Sequence, residues 1–246
     1  MKIIGIIPAR YASTRLPGKP LIDINGITMI NRVYNQVSKC NKLTDIIIAT
    51  DDERIYNHAK SFNANVAMTS ESHQTGTDRC YEVASKINLN DDDIVVNIQG
   101  DEPFIEPEQI DLLIKCFENK DVEIATLVKY VSNKEDVFSN SVMKVIVDKN
   151  NKALYFSRTP IPYIRDIEKE KWCENFNYIK HIGIYGYKYK TLKEITLLPK
   201  SSLEKAESLE QLRWLENGYS ISINYTTHDS FSIDTQEDVL KAEKYY

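Results

Sequence analysis

Between Pro8 and Pro20 the chain carries three long cations (Arg10, Arg15 and Lys19), the hydroxyls of Ser13 and Thr14, and the flexible Gly18. A triphosphate calls for such a set, because several cations can converge on its oxygens while backbone N–H groups fill the gaps. The Walker A loop is absent: it would need glycine at Ser13 and a hydroxyl at Pro20, and no dinucleotide G-x-G-x-x-G occurs either. A solvated loop with scattered basic residues is the plain alternative. Two acids stand where metal chemistry is conceivable. Asp101, in Gln99-Gly100-Asp101-Glu102-Pro103, and Asp234, in Ser232-Ile233-Asp234-Thr235, could together hold Mg²⁺, which takes only one or two protein carboxylates. Taken singly, Asp101 reads as a solvated turn and Asp234 as a helix-start acid. The segment His73 to Arg79 is either a polar turn with an N-cap or a loop whose backbone and Arg79 select a pyrimidine edge. By residue type alone His181 reads as a core or surface histidine, and Glu210 and Gln211 as an exposed helical stripe. No Ser/His/Asp or Cys/His arrangement points to a covalent intermediate.

The elements that must position these groups alternate. Lys2 to Ile7 and Asp45 to Ala49 read as buried strands, and Asn65 to Met68 and Ile94 to Ile98 as a third and a fourth strand. Between them lie helical patterns: one after Thr28, a candidate N-cap, one over Asp52 to Phe62, and one over Thr77 to Ile87 with Tyr81, Ala84 and Ile87 inward. Pro107 opens another, with Ile110, Leu113, Ile114 and Phe117 on its apolar face. Strand–helix alternation with short links implies parallel strands and right-handed crossovers, and places the polar loops at the carboxyl ends of the strands, where open sheets bind ligands. After about residue 123 the pattern changes. Strands are expected over Glu123–Lys129, Val142–Asp148, Ala153–Ser157, Lys180–Tyr187 and Tyr219–Tyr225, the second and third joined as a hairpin by Lys149 to Lys152. One helix is expected over Leu203–Asn217, closed by Gly218, and a last one from Thr235 with a capping-box spacing to Asp238. The expected fold is α/β over residues 1–246, a mixed, mostly parallel sheet flanked by helices, with an inserted antiparallel lobe over approximately 130–200.

Composition narrows the partners. With 42% hydrophobic and 27% charged residues the chain is an ordinary globular one. Its net charge of −5 argues against nucleic acid as a general partner, yet no acid occurs before Asp23, so the N-terminal stretch is locally cationic. No apolar run reaches the ~18 residues of a membrane span, and Ile3 to Ile7 is too short for a signal segment, so a cytoplasmic protein is expected. Cys40, Cys80, Cys116 and Cys173 lie far apart and read as reduced thiols.

The stretch Ile7 to Leu21 resembles the nucleotide loop of the 3-deoxy-manno-octulosonate (Kdo) cytidylyltransferases, the CMP-Kdo synthetases. The resemblance runs in order through Ala49-Thr50-Asp51, His73 to Arg79, Val96 to Pro103, Leu154 to Arg158, His181 to Tyr187, Leu209 to Arg213 and Ile233-Asp234-Thr235. It implies a nucleotide-diphospho-sugar transferase-like fold, a homodimer with the inserted lobe at its contact, and the reaction CTP + Kdo → CMP-Kdo + pyrophosphate, which feeds surface glycan synthesis. It further implies that Ala9, Arg10, Ser13, Arg15 and Lys19, with Gln74, Thr75, Gly76 and Arg79, bind CTP, and that Asp101 and Asp234 carry Mg²⁺. Gln99, Arg158, His181, Tyr185, Glu210 and Gln211 would line the sugar pocket, with Asp101, Lys19 and Arg10 closest to the chemistry. Two positions depart from the family pattern: Ser232 and Gln236 stand where Gly and Pro are usual around Ile-Asp-Thr, which restricts the backbone beside Asp234. The stretches around Tyr178 to His181 and His228 to Phe231 also resemble the branch that activates 8-amino-3,8-dideoxy-manno-octulosonate. A nucleotide-binding module without catalysis is the alternative from a different class. A sialic-acid cytidylyltransferase fits the Tyr11 to Pro17 form of the loop less well.

Overall fold

In a computed structural model the described residues are 1–12, 16–229 and 231–244. The strands in chain order are β1 (Ile3–Ala9), β2 (Asp23–Ile24), β3 (Ile27–Thr28), β4 (Asp45–Thr50), β5 (Asn65–Met68), β6 (Ile94–Asn97), β7 (Ile124–Tyr130), β8 (Lys144–Val147), β9 (Ala153–Ser157), β10 (Ile179–Lys188) and β11 (Ile221–Tyr225). The chain divides into two compact units, one of residues 1–111, 184–196 and 230–246, the other of 112–183 and 197–229. β10 begins in the second unit and ends in the first.

In the first unit β1 lies between β4 and β6, parallel to both, with Ile6 opposite Ile47 on one side and Asn97 on the other. β5 extends this sheet in parallel, and the last residues of β10 close it antiparallel to β6. Ile6, Ile7, Ile48, Val95 and Val96 are completely or almost completely buried, the signature of strands covered on both faces. Both loops after β1 and β6 therefore leave the same edge of the sheet.

The second unit pairs β11 with β7 in parallel, Ile221 opposite Ile124. β8 and β9 form the expected hairpin, and Lys180 of β10 pairs with Lys144 of β8. Asn151 takes a left-handed φ of 56° at the hairpin turn. The class is the expected one, a mixed, mostly parallel sheet with antiparallel additions. All four cysteines are free thiols.

One local expectation holds in position and two need correction. Thr28 takes the expected N-cap position of the helix Met29–Val37 in extended conformation, but its side chain makes no capping hydrogen bond; its hydroxyl lies 2.6 Å from His58 Nε2. The helix Gly76–Ser85 buries Thr77, Arg79, Cys80, Val83 and Ala84, whereas Tyr81 sits at the margin, its ring stacked on Tyr189. The single helix expected over Leu203–Asn217 is two, Ser202–Glu207 and Gln211–Glu216, broken at Ser208 with φ 52°. The break has a tertiary cause. Arg158 donates from Nε to the Glu207 carbonyl (2.7 Å) and from Nη2 to that of Ser208 (3.3 Å), so carbonyls freed at the helix end find a cation. A buried Arg213–Glu204 ion pair (2.8 Å) then holds the two helices together. The apolar spacing of the segment continues through the break, so periodicity alone could not reveal it.

Candidate active site

Three segments of the first unit converge. The loop after β1 brings Arg10 and, through a short 3₁₀ turn entered by the left-handed Gly18 (φ 68°), Lys19. The turn after β6 brings Gln99, Gly100 and Asp101. A side chain at Gly100 is ruled out by space, since a Cβ there would stand 2.6 Å from the Pro8 carbonyl oxygen. The third segment reaches the site through Ile233, whose N–H donates to the Asp101 carbonyl (2.9 Å). Ile233 is completely buried with Leu16, Ile24, Met29, Val239 and Ala242, and the next helix is opened by the Thr235–Asp238 capping box the spacing predicts. Asp234 is thus held on both sides, between a buried Ile233 and a capped helix start.

The result is a bridge. Lys19 Nζ donates to Asp101 Oδ2 (2.6 Å) and to Asp234 Oδ1 (3.0 Å). The two acids, 133 positions apart in the chain by their numbers, therefore face one cation between them. Burial alone would pull the Lys19 ammonium down, but both carboxylates act against it and its pKa lies above the ordinary lysine value. It is charged throughout the physiological range. Among the described residues no group of three or more His, Cys, Asp or Glu side chains gathers as a metal cluster. Two convergent carboxylate oxygens on a position already taken by a cation nevertheless suit Mg²⁺, a hard ion that completes its shell with phosphate oxygens and water.

A cavity of about 310 Å³ opens beside this bridge. Of the residues expected from sequence, Ala9, Arg10, Lys19, Gln74, Thr75, Gly76, Arg79, Gln99, Asp101 and Asp234 line it. Ser13 and Arg15 lie outside the described residues. Pro8, Pro20, His73 and Gly100 line it too; each belongs to a motif block, but only the fold shows which members of a block face inward. Thr75 caps the helix Gly76–Ser85 in a full capping box with Asp78, so N–H groups at the positive end of that helix border the cavity. Arg79 is anchored more firmly than a base-reading side chain need be, paired with Asp51 and donating to Thr69 Oγ1 (2.7 Å). His73 Nε2 lies 2.5 Å from Glu82 Oε2. Burial works to raise the Glu82 pKa, but Lys86, the Ser70 N–H and His73 outweigh it and bring it down to about 2.

The residues expected around the sugar divide between the units. Gln99 lines the cavity of the first, and Tyr185, opposite Asn97 in the β10–β6 pair, is buried there with its ring stacked on Tyr187. In the second unit His181 is buried against Phe156, its Nε2 3.0 Å from Thr126 Oγ1; burial lowers its pKa to about 3, so it is neutral. Arg158 spreads its guanidinium over the carbonyls of Asn140, Glu207 and Ser208. Gln211 is buried and Glu210 faces Arg213 (3.5 Å), so this pair is not an exposed stripe. Ser157 Oγ and the Arg158 N–H both donate to the Glu207 carboxylate (2.7 and 3.0 Å), a contact without a signal in the sequence.

The chain is similar to known cytidylyltransferases. A family model described as "Cytidylyltransferase" matches residues 4–223. A 3-deoxy-manno-octulosonate cytidylyltransferase of Parabacteroides distasonis is 54% identical over 246 residues, covering 98% of this chain and 97% of its own. One from Bacteroides thetaiotaomicron is 53% identical and covers 100% and 98%. A solved structure of CMP:2-keto-3-deoxy-manno-octonic acid synthetase complexed with CTP superposes with a TM-score of 0.92 at 37% identity, over 100% of this chain and 98% of that one. With a full-length match in sequence and a matching fold, the chain belongs to the 3-deoxy-manno-octulosonate cytidylyltransferase family.

Proposed function

We propose that this protein transfers CMP from CTP to the anomeric hydroxyl of Kdo, releasing pyrophosphate and supplying CMP-Kdo for surface glycan synthesis. The observation that carries the reading is the meeting of Asp101 and Asp234 on the Lys19 ammonium beside a cavity that also receives Arg10. Both reactants are anions, so their repulsion must be cancelled before the sugar hydroxyl can approach the α-phosphorus. Arg10 and Lys19 supply cations for the phosphate oxygens, and the N-terminal N–H groups of the helix Gly76–Ser85 add partial positive charge. Gly100 lets backbone come close where a side chain would keep it away. Mg²⁺ held by Asp101 and Asp234 would supply further charge neutralisation on the phosphates. The new O–P bond forms at the α-phosphorus as the bond to the β-phosphate oxygen breaks, the hydroxyl loses its proton, and pyrophosphate leaves. Positioning and fixed charge do most of the work, as in phosphoryl transfer generally.

On this reading Gln99, Arg158, His181, Tyr185, Glu210 and Gln211 serve the sugar acid, and the protein works in the cytoplasm as a homodimer, which sedimentation at micromolar concentration tests. No helix among the described residues is long and apolar enough to cross a membrane. The decisive assay follows pyrophosphate from CTP and Mg²⁺ with Kdo, 8-amino-Kdo or sialic acid as acceptor. Release is expected with Kdo. Binding of CTP without release from any of the three would leave a binding module and overturn the reading.

A further inference from the structure

Arg10 and Lys19 flank the segment from Tyr11 to Gly18, and the base of that segment is tied shut: the Gly18 N–H donates to the Tyr11 carbonyl (3.0 Å). The residue after one cation is thereby bonded to the residue before the other, so this contact sets the spacing of the two. The Tyr11 ring closes the same gap. A Cβ at Gly18 would lie 3.1 Å from its Cε2, Cζ and Oη atoms. The ring in turn carries the guanidinium of Arg54, whose Cζ is 3.3 Å from the ring centroid. Arg54 is held in place by Asp52, with Nε 3.0 Å from Oδ1 and Nη2 2.7 Å from Oδ2. Asp52 also accepts the Arg54 N–H (2.9 Å) and caps the helix Glu53–Ser61. A continuous set of contacts therefore leads from a helix start to the base of the loop.

We infer that Arg54, which is not among the cavity-lining residues, is a positioning residue for the nucleoside triphosphate: stacked on Tyr11 and held flat by Asp52, it fixes the spacing of Arg10 and Lys19. The inference rests on the reading that these two cations take the CTP phosphates. The chemistry demands arginine. A two-point carboxylate contact holds the guanidinium plane through its edge and leaves its face for the ring, whereas an ammonium keeps the charge and loses the plane. Because the Arg54 side chain is 60% exposed, its removal opens no cavity in the core.

Isothermal titration of the full chain with CTP in magnesium buffer tests this. Arg54→Ala is expected to raise the Kd for CTP roughly three- to tenfold, with the thermal midpoint and the KM for Kdo unchanged. Arg54→Lys should behave like Arg54→Ala; wild-type affinity in the lysine variant alone would assign the effect to charge and overturn the stacking role. Tyr11→Leu should weaken CTP similarly, and the double variant should bind no more weakly than the weaker single, because both remove one contact. Additive losses, or an Arg54→Ala variant with the wild-type Kd, would refute the inference. A wild-type chain that binds CTP but releases no pyrophosphate would sink the proposed reaction and leave this positioning role standing; one that does not bind CTP would sink both.

Discussion

Gly100→Ala puts the geometry of the site to its most direct test. The new Cβ would stand 2.6 Å from the Pro8 carbonyl oxygen and 3.6 Å from Ile7 Cγ2. Carbon and carbonyl oxygen approach comfortably at about 3.3 Å, so the turn and the strand must part by roughly 0.7 Å. Gly100 has no left-handed φ, so space alone sets the requirement. β1 cannot yield, because it is paired in parallel on both sides, with β4 and β6, and its core residues are fully buried. The turn after β6 must therefore move, and Asp101, the next residue, moves with it, away from a Lys19 contact of 2.6 Å. A displacement near 1 Å costs on the order of a hundredfold in a positioned reaction, so kcat should fall roughly ten- to a hundredfold. Overpacking should also cost about 1–3 kcal/mol of stability. Continuous detection of pyrophosphate at saturating CTP and Kdo, alongside a thermal melt, measures both. A wild-type kcat with an unchanged melt would show that the Pro8–Gly100 approach does not position Asp101.

Two further variants probe the site and its support. Asp101→Asn keeps the shape and removes one of the charges on Lys19; turnover should fall by more than about a hundredfold, while the melt barely moves, because a partly exposed ion pair contributes about 1 kcal/mol or less. Wild-type rates would remove Asp101 from the mechanism. Lys144 is completely buried and donates to the carbonyls of Ser139 (2.7 Å), Val142 (2.5 Å) and Arg158 (2.6 Å). Burial, opposed by Glu207, brings its pKa down from 10.5 to about 8. Between those two pH values the unfolded chain holds more of this proton than the folded one, so this lysine makes stability rise with pH across that window. Lys144→Met should abolish that rise and cost about 1–3 kcal/mol at pH 7 by orphaning the carbonyls. Urea melts from pH 7 to pH 10 that run parallel for the two proteins would contradict it.

Much of the fold was legible locally. The apolar runs Lys2–Ile7, Asp45–Ala49 and Ile94–Ile98 match β1, β4 and β6 within a residue or two, because a strand buried on both faces must be mostly apolar. The capping spacing at Thr235 announced a helix start for a reason contained in a few residues. The site was legible as residue types and ordered blocks, which paired Asp101 with Asp234 on one expected metal and gave Lys19 to the phosphates. Illegible were the break at Ser208, caused by Arg158 some fifty positions earlier, and the anchoring of Arg79 on Asp51. Neither leaves a periodic trace.

By itself, then, the order of amino acids determined which segments are strands and helices, which loops carry charge, and which family's chemistry to expect. Propensity, burial period and capping act within a few residues, and motif blocks are strings. Only the tertiary structure decided that one ammonium lies between two distant carboxylates, that Gly100 tolerates no side chain, and that Arg54 rests on Tyr11. These are distances between segments brought together by β1 lying between β4 and β6 and by Ile233 entering the core. Long-range packing of that kind sets where charges meet, and where charges meet is what the reaction uses.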